Sequence, residues 1–88
     1  MARISDERYA ELLLKLGEAD AARAIAHAER ASLAAVALWM AEEIRDQADR
    51  LRVPRETALR MRAASRRIRD QVTEARRSRR NGAARRAA

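Results

Sequence analysis

Eighty-eight residues with no cysteine and a net charge of +7 leave room for one domain at most, exclude disulfide or thiolate-metal staples, and put the core near the lower limit for a chain that folds alone. Arg outnumbers Lys 19 to 1 and Ala fills 22 positions, so the chain is made of strong helix formers and reads as all-α. The longest uncharged run, residues 31–41, has eleven residues against the ~20 of a bilayer span, and residues 1–15 mix acids with bases, so a cytoplasmic protein with no membrane partner is expected.

Ser5 is suited to cap a first helix over about 5–17. Asp6 and Glu7 complement the dipole of its first turn, and Ile4 and Tyr9 stand at the two positions of a hydrophobic staple. Tyr9, Leu12, Leu13 and Leu16 follow the i, i+3, i+4, i+7 rule and predict its apolar face. Gly17 is placed to end the helix and Asp20 to cap the next, the alternative being a helix that runs through.

No Gly or Pro interrupts residues 20–52, which predicts a long second helix with two apolar stripes. Leu33, Val36, Met40, Ile44, Ala48 and Leu51 form the large one. Gly17, Ala21, Ala24, Ala28, Ala31, Ala35 and Leu38 form a small-residue seam at alternating spacings of 4 and 3, the pattern that lets helices approach closely. A helix apolar on two faces wants two partners. Ala21, Ala24, Ala28, Ala31, Ala35 and Leu38, with Trp39, are therefore the expected contact surface for neighbouring helices or for a second copy.

Val53-Pro54 is the one clear break, since proline restricts the residue before it and suits the first position of a helix. A third helix is predicted over about 54–80, with Ala58, Met61, Ala64, Ile68, Val72 and Ala75 as its apolar stripe. Asn81-Gly82 predicts its stop, leaving 81–88 as a disordered basic tail. The fold expected is a small helical hairpin or three-helix bundle over residues 1–80, assembled as an oligomer, with a basic C-terminal tail.

Charge is divided unevenly. Residues 1–53 hold 8 Lys+Arg and 10 Asp+Glu, a net of −2, whereas residues 54–88 hold 12 and 3, a net of +9. A basic segment of this density attracts nucleic acid or an acidic protein surface. At about 100° per residue, Arg62, Arg66, Arg69, Arg76 and Arg80 fall on one flank of the third helix, with Asp70 and Glu74 away from them. Such a line matches a helix lying along phosphates, where guanidinium forks bind bidentately. Internal pairing competes. In an antiparallel hairpin Glu42, Asp46 and Asp49 would face Arg66, Arg60 or Arg62, and Ala58. Arg76, Arg77, Arg79 and Arg80 would lie beside the alanine-rich residues 27–31, where Glu29 is the one acid. With Arg85 and Arg86 of the tail, they are the arginines expected to receive an outside anion.

Residues 44–61, IRDQADRLRVPRETALRM, place Ala48, Leu51, Val53, Ala58 and Met61 at small and apolar positions and resemble a helix-turn-helix DNA-binding element. That resemblance implies that Arg55, Glu56, Thr57 and Arg60 point into the major groove, with Arg55 and Arg60 reading bases. The alternative is a plain helical hairpin with a proline-started third helix, in which base reading is not implied.

His27 is the only histidine and no Glu-x-x-His or His-x-x-x-His accompanies it, so neither a metal nor another cofactor is expected. The acids Glu42, Glu43, Asp46 and Asp49 read as a solvated or salt-bridged face. No serine has a base linked to it by spacing, and no enzymatic activity is expected. Tyr9 and Trp39 are the only aromatics, and neither is in the basic half, where single-strand binders stack bases. The expected function is binding of duplex DNA phosphates. The alternative is a helical protein-interaction module, such as an adaptor, scaffold or phage or mobile-element inhibitor, using the Trp39 surface or an acidic protein partner.

Overall fold

The structure is a computed structural model that describes residues 4–27 and 31–87, and it is all-α. Ser5 caps α1 (Asp6–Leu12): its backbone is extended and its hydroxyl accepts the Arg8 amide at 3.2 Å. A π-helical turn, Leu13–Gly17, joins α1 to α2 (Glu18–Ala26). Leu12, Leu13, Gly17 and Glu18 all keep right-handed helical dihedrals, so α1, the π turn and α2 form one N-terminal rod. It ends at His27, where φ −103° and ψ 11° leave the helical region.

Two predicted boundaries therefore move. Gly17 does not stop the first helix. It is buried, and its missing Cβ gives α3 (Ala31–Arg50) room: an added Cβ would stand 3.1 Å from Ile44 Cδ1 and 3.3 Å from Met40 Sδ. The single helix expected over 20–52 is instead divided into α2 and α3. No glycine or proline dictates that division. It is set by packing, because folding back brings Ala21 of α2 and Ala37 of α3 into one core, which a straight helix would hold far apart.

Pro54 precedes α4 (Arg55–Ala87), and its carbonyl accepts the Ala58 amide at 3.1 Å. The stop expected at Asn81-Gly82 is overridden, and 81–87 is helical rather than a disordered tail. Nothing lies within 4 Å of a Cβ added to Gly82. A glycine inside a helix costs only about 1 kcal/mol, which the flanking alanines and arginines tolerate.

Side-chain pairs fix the helix directions. Glu11 meets Arg60 and Glu18 meets Arg67; both partners advance by seven residues, so the N-terminal rod and α4 run parallel. Asp49 meets Arg62, and Ala41 meets Ser65, so α3 and α4 are antiparallel and form the largest helix pair. The result is an up-down-up three-helix bundle of 58 × 26 × 15 Å. With 33 residues, α4 is about 50 Å long, whereas the 20 residues of α3 give about 30 Å, so the C-terminal turns of α4 project past the body.

Of the eleven buried hydrophobic residues described, Ala10, Ala21, Ala37, Ala41, Ala48 and Ala64 are alanines; Leu14, Ile44, Met61, Ile68 and Val72 supply the bulk. The predicted α4 stripe holds, with Met61, Ala64, Ile68 and Val72 buried and Ala58 and Ala75 half-buried. The other stripes shift. Ala10, Leu14, Gly17 and Ala21 line the rod's inner face, while Tyr9 and Leu16 are exposed. On α3 the inner line is Ala37, Ala41, Ile44 and Ala48, and Val36 is 49% exposed. In both helices the small residues turn inward because three backbones must converge, and the larger ones flank them. Ser65 is buried, and its hydroxyl donates to the Ala41 carbonyl at 2.7 Å, clasping α4 to α3.

This geometry replaces the helix-turn-helix expectation. The helices of that element cross at about 90–120°, whereas α3 and α4 lie side by side from the Asp49–Arg62 pair to the Ala41–Ser65 bond. Residues 44–61 are the closed end of a long hairpin. At that end the Arg52 amide donates to Asp6 Oδ2 at 2.7 Å, tying the connection to the start of α1.

Candidate nucleic-acid interface

Helix α4 carries arginines on both flanks, and its neighbours treat the flanks differently. Beside the N-terminal rod, Arg60 donates to both Glu11 carboxylate oxygens at 2.9 and 3.4 Å, and Arg67 donates to Glu18 at 2.5 Å. These residues, with Leu14, Lys15 and Ala63, line a groove of about 400 Å³ of mixed charge. The Glu11 carboxylate, by hydrogen bond and by charge, holds the Arg60 guanidinium pKa above its ordinary value. Base reading by Arg60, which the helix-turn-helix resemblance implied, has no support in this geometry, because its guanidinium is already engaged. Arg55 is exposed at the start of α4.

The flank beside α3 differs. Arg62, Arg66 and Arg69 meet Arg45 of α3 and Ser65 around a groove of about 270 Å³. One of these four guanidiniums is neutralised: Arg62 bonds Asp49. Among the described residues, Arg45, Arg66 and Arg69 have no carboxylate within ion-pair distance. Glu42 and Asp46, expected to face Arg66 and Arg60 or Arg62, are exposed and make no such pair among the described residues.

Further along, Thr73, Arg76, Arg77, Arg80 and Asn81 line a shallow groove of about 400 Å³ on α4. Arg76, Arg77 and Arg80 are exposed. Arg77 lies 3.9 Å from Glu74, one turn back, with both side chains about 70% exposed, a contact worth little in water. Thr73 donates its hydroxyl to the Arg69 carbonyl at 3.0 Å, so the arginines and Asn81 supply the donors here. The side chains of Arg79, Arg85 and Arg86, and residue Glu29, lie outside the described residues.

Helical geometry keeps Arg62, Arg66, Arg69, Arg76 and Arg80 along one flank of the continuous α4, the first three around the α3–α4 groove and the last two around the distal one. From Arg62 to Arg80 it runs about 27 Å, a little less than one turn of B-form DNA. Arg45 was missed because helix α3 was read for its acids. Its signal was available: it stands four residues before Asp49, on the side of α3 that the hairpin turns toward Arg66. Glu11 and Glu18 were missed as neutralising partners, although their seven-residue spacing matches that of Arg60 and Arg67.

The alanine seam divides. Ala21 is buried inside the bundle, Ala24 and Leu38 are half-buried, and Ala35 is exposed. Ala21 is therefore spent on the intramolecular core and is removed from the surface open to a second copy. Ala28 and the side chain of Ala31 lie outside the described residues. Trp39 is 60% exposed and stands one turn from Val36.

Among the described residues no helix is long and apolar enough to cross a membrane, and no group of three His, Cys, Asp or Glu side chains is placed to hold a metal. Compared with known proteins, the chain matches no family model, and no curated protein or solved structure matches it significantly.

Proposed function

We propose that the chain binds nucleic acid, with duplex DNA as the favoured partner, through the α3-side flank of α4. The observation that carries this reading is the contrast between flanks. Where α4 meets acids, its arginines are consumed; where it does not, Arg66, Arg69, Arg76 and Arg80, with Arg45 of α3 opposite, keep their donors available. Phosphate is a ligand that planar, permanently charged forks bind bidentately. The basic half carries no aromatic residue, which favours duplex backbone over stacked single strands. The projecting end of α4 reaches beyond the bundle, where a duplex has room to lie. Contacts of this kind go to phosphates and read no sequence.

The test is salt dependence. If Arg45, Arg66, Arg69, Arg76, Arg77 and Arg80 each engage a phosphate, log affinity falls with log salt at a slope of about −5. Fluorescence anisotropy with a labelled duplex measures it, and no binding at about 50 mM salt removes the reading.

A second reading rests on one observation, the exposure of Trp39 beside Val36. Large aromatics anchor protein interfaces, and this face of α3 continues into Glu42, Glu43 and Asp46, so a protein partner or a second copy of the chain would be apolar and basic there. Under this reading Trp39→Ala lowers partner binding or self-association, measured by light scattering, and leaves DNA affinity unchanged.

A further inference from the structure

The groove between α3 and α4 differs in kind from the remainder of the arginine row. The distal arginines sit on a single helix, and any long basic helix could present them. The groove is assembled from two helices: Arg45 comes from α3, and Arg62, Arg66 and Arg69 come from α4. Four guanidiniums around about 270 Å³ share one bonded carboxylate, Asp49 on Arg62, a local excess of three positive charges. Like charges held this close repel one another, and an anion between them relieves that repulsion. The floor contributes shape alone, because Ser65 gives its one proton to the Ala41 carbonyl, so recognition falls to the guanidinium forks.

From this we infer that the α3–α4 groove is a discrete phosphate-binding site, taking one phosphate or pyrophosphate group between Arg45, Arg66 and Arg69, with Asp49 restraining Arg62 in the unliganded protein. Two sources supply that chemistry: the backbone of a nucleic acid, and a free phosphorylated small molecule. The inference deepens the nucleic-acid reading in the first case and stands without it in the second. Its mark is dependence on the folded hairpin, since Arg45 joins the other three only when α3 packs on α4.

Titration of the full chain with pyrophosphate, followed by calorimetry and by NMR of the arginine Nε–H signals, tests it. Saturable one-site binding is expected, with Arg45→Gln and Arg66→Gln each weakening it about tenfold, as loss of a charge-assisted hydrogen bond does. The triple variant Arg76→Gln, Arg77→Gln, Arg80→Gln should bind within about twofold of the parent, and Asp49→Asn should bind more tightly because it releases Arg62. Circular dichroism of each variant confirms that the helices are kept. Absence of saturable pyrophosphate binding, or an equal loss in the distal triple variant, overturns the proposal and leaves any duplex affinity to the distal arginines. A duplex arm separates the sources. If Arg45→Gln weakens duplex binding as it weakens pyrophosphate binding, the site takes backbone phosphate; if pyrophosphate binding alone is lost, it takes a free phosphorylated ligand.

Discussion

Both flanks of α4 carry arginines, and the two have opposite electrostatic fates. On the side of the N-terminal rod, Arg60 and Arg67 each find a glutamate. On the side of α3, one of the four groove arginines, Arg62, finds a carboxylate, that of Asp49. Arginine content is therefore a poor guide to a binding face; what decides is whether the helix packed alongside carries acids in matching register. Glu11 and Glu18 repeat at the seven-residue interval of Arg60 and Arg67, and a parallel neighbour keeps that match over two turns. On the opposite flank, among the described residues, Asp49 is the one acid of α3 that pairs with an α4 arginine.

Removing the open flank should have the largest effect. Replacing Arg66, Arg69, Arg76 and Arg80 by Gln should reduce the magnitude of the salt slope of duplex binding by about 3.6, whereas Arg60→Gln with Arg67→Gln should leave it nearly unchanged. Equal losses from the two flanks would erase the contrast. Next comes the packing that keeps the closed flank closed. Gly17→Leu places a side chain where even an added Cβ would stand 3.1 Å from Ile44, costing about 3 kcal/mol by overpacking and lowering the thermal midpoint by roughly 12–24 °C. As the rod is displaced, Arg60 and Arg67, already more than half exposed, should lose their glutamate partners and react faster with phenylglyoxal. Ser65→Ala deletes the clasp to Ala41 and should cost about 1 kcal/mol in urea denaturation, with the charge pattern intact.

The smallest effect on stability, and the finest probe of the contrast, is Glu11→Gln with Glu18→Gln. Exposed ion pairs add little to folding, so the thermal midpoint should barely move, yet freeing two arginines should steepen the salt slope by up to about 1.8. The Arg60 guanidinium itself stays charged as pH falls. Its raised pKa means that its contribution is complete below the guanidinium's ordinary value and is lost only as pH rises past the folded-state one.

Much of the architecture was legible in local chemistry. The Ser5 cap, the break before Pro54, and the buried face of α4 at Met61, Ala64, Ile68 and Val72 follow from short-range rules and recur in the folded chain. What was illegible depended on distant residues. The separation of α2 from α3 has no breaker to announce it, because the reversal is favoured by Ala21 and Ala37 meeting in the core. Gly17 reads as a stop by propensity and serves as a space instead, a role visible only once Ile44 and Met40 stand opposite it. Asn81-Gly82 reads as a stop too, and the helix formers on both sides carry α4 through it. For the site, the arginine row followed from helical geometry alone. The entry of Arg45 and the withdrawal of Arg60 into a pair with Glu11 required the register between helices, which no single stretch encodes.

The bond from the Arg52 amide to Asp6 gives the molecule a polarity. It fastens the beginning of the first rod to the α3–α4 connection, so both occupy one pole, and the freely extending end of α4 occupies the other. A tag or fluorophore attached ahead of Ile4 would thus ride at the blunt pole, far from the projecting arginines. The molecule can be tethered there to a surface with its cationic arm facing outward into solution.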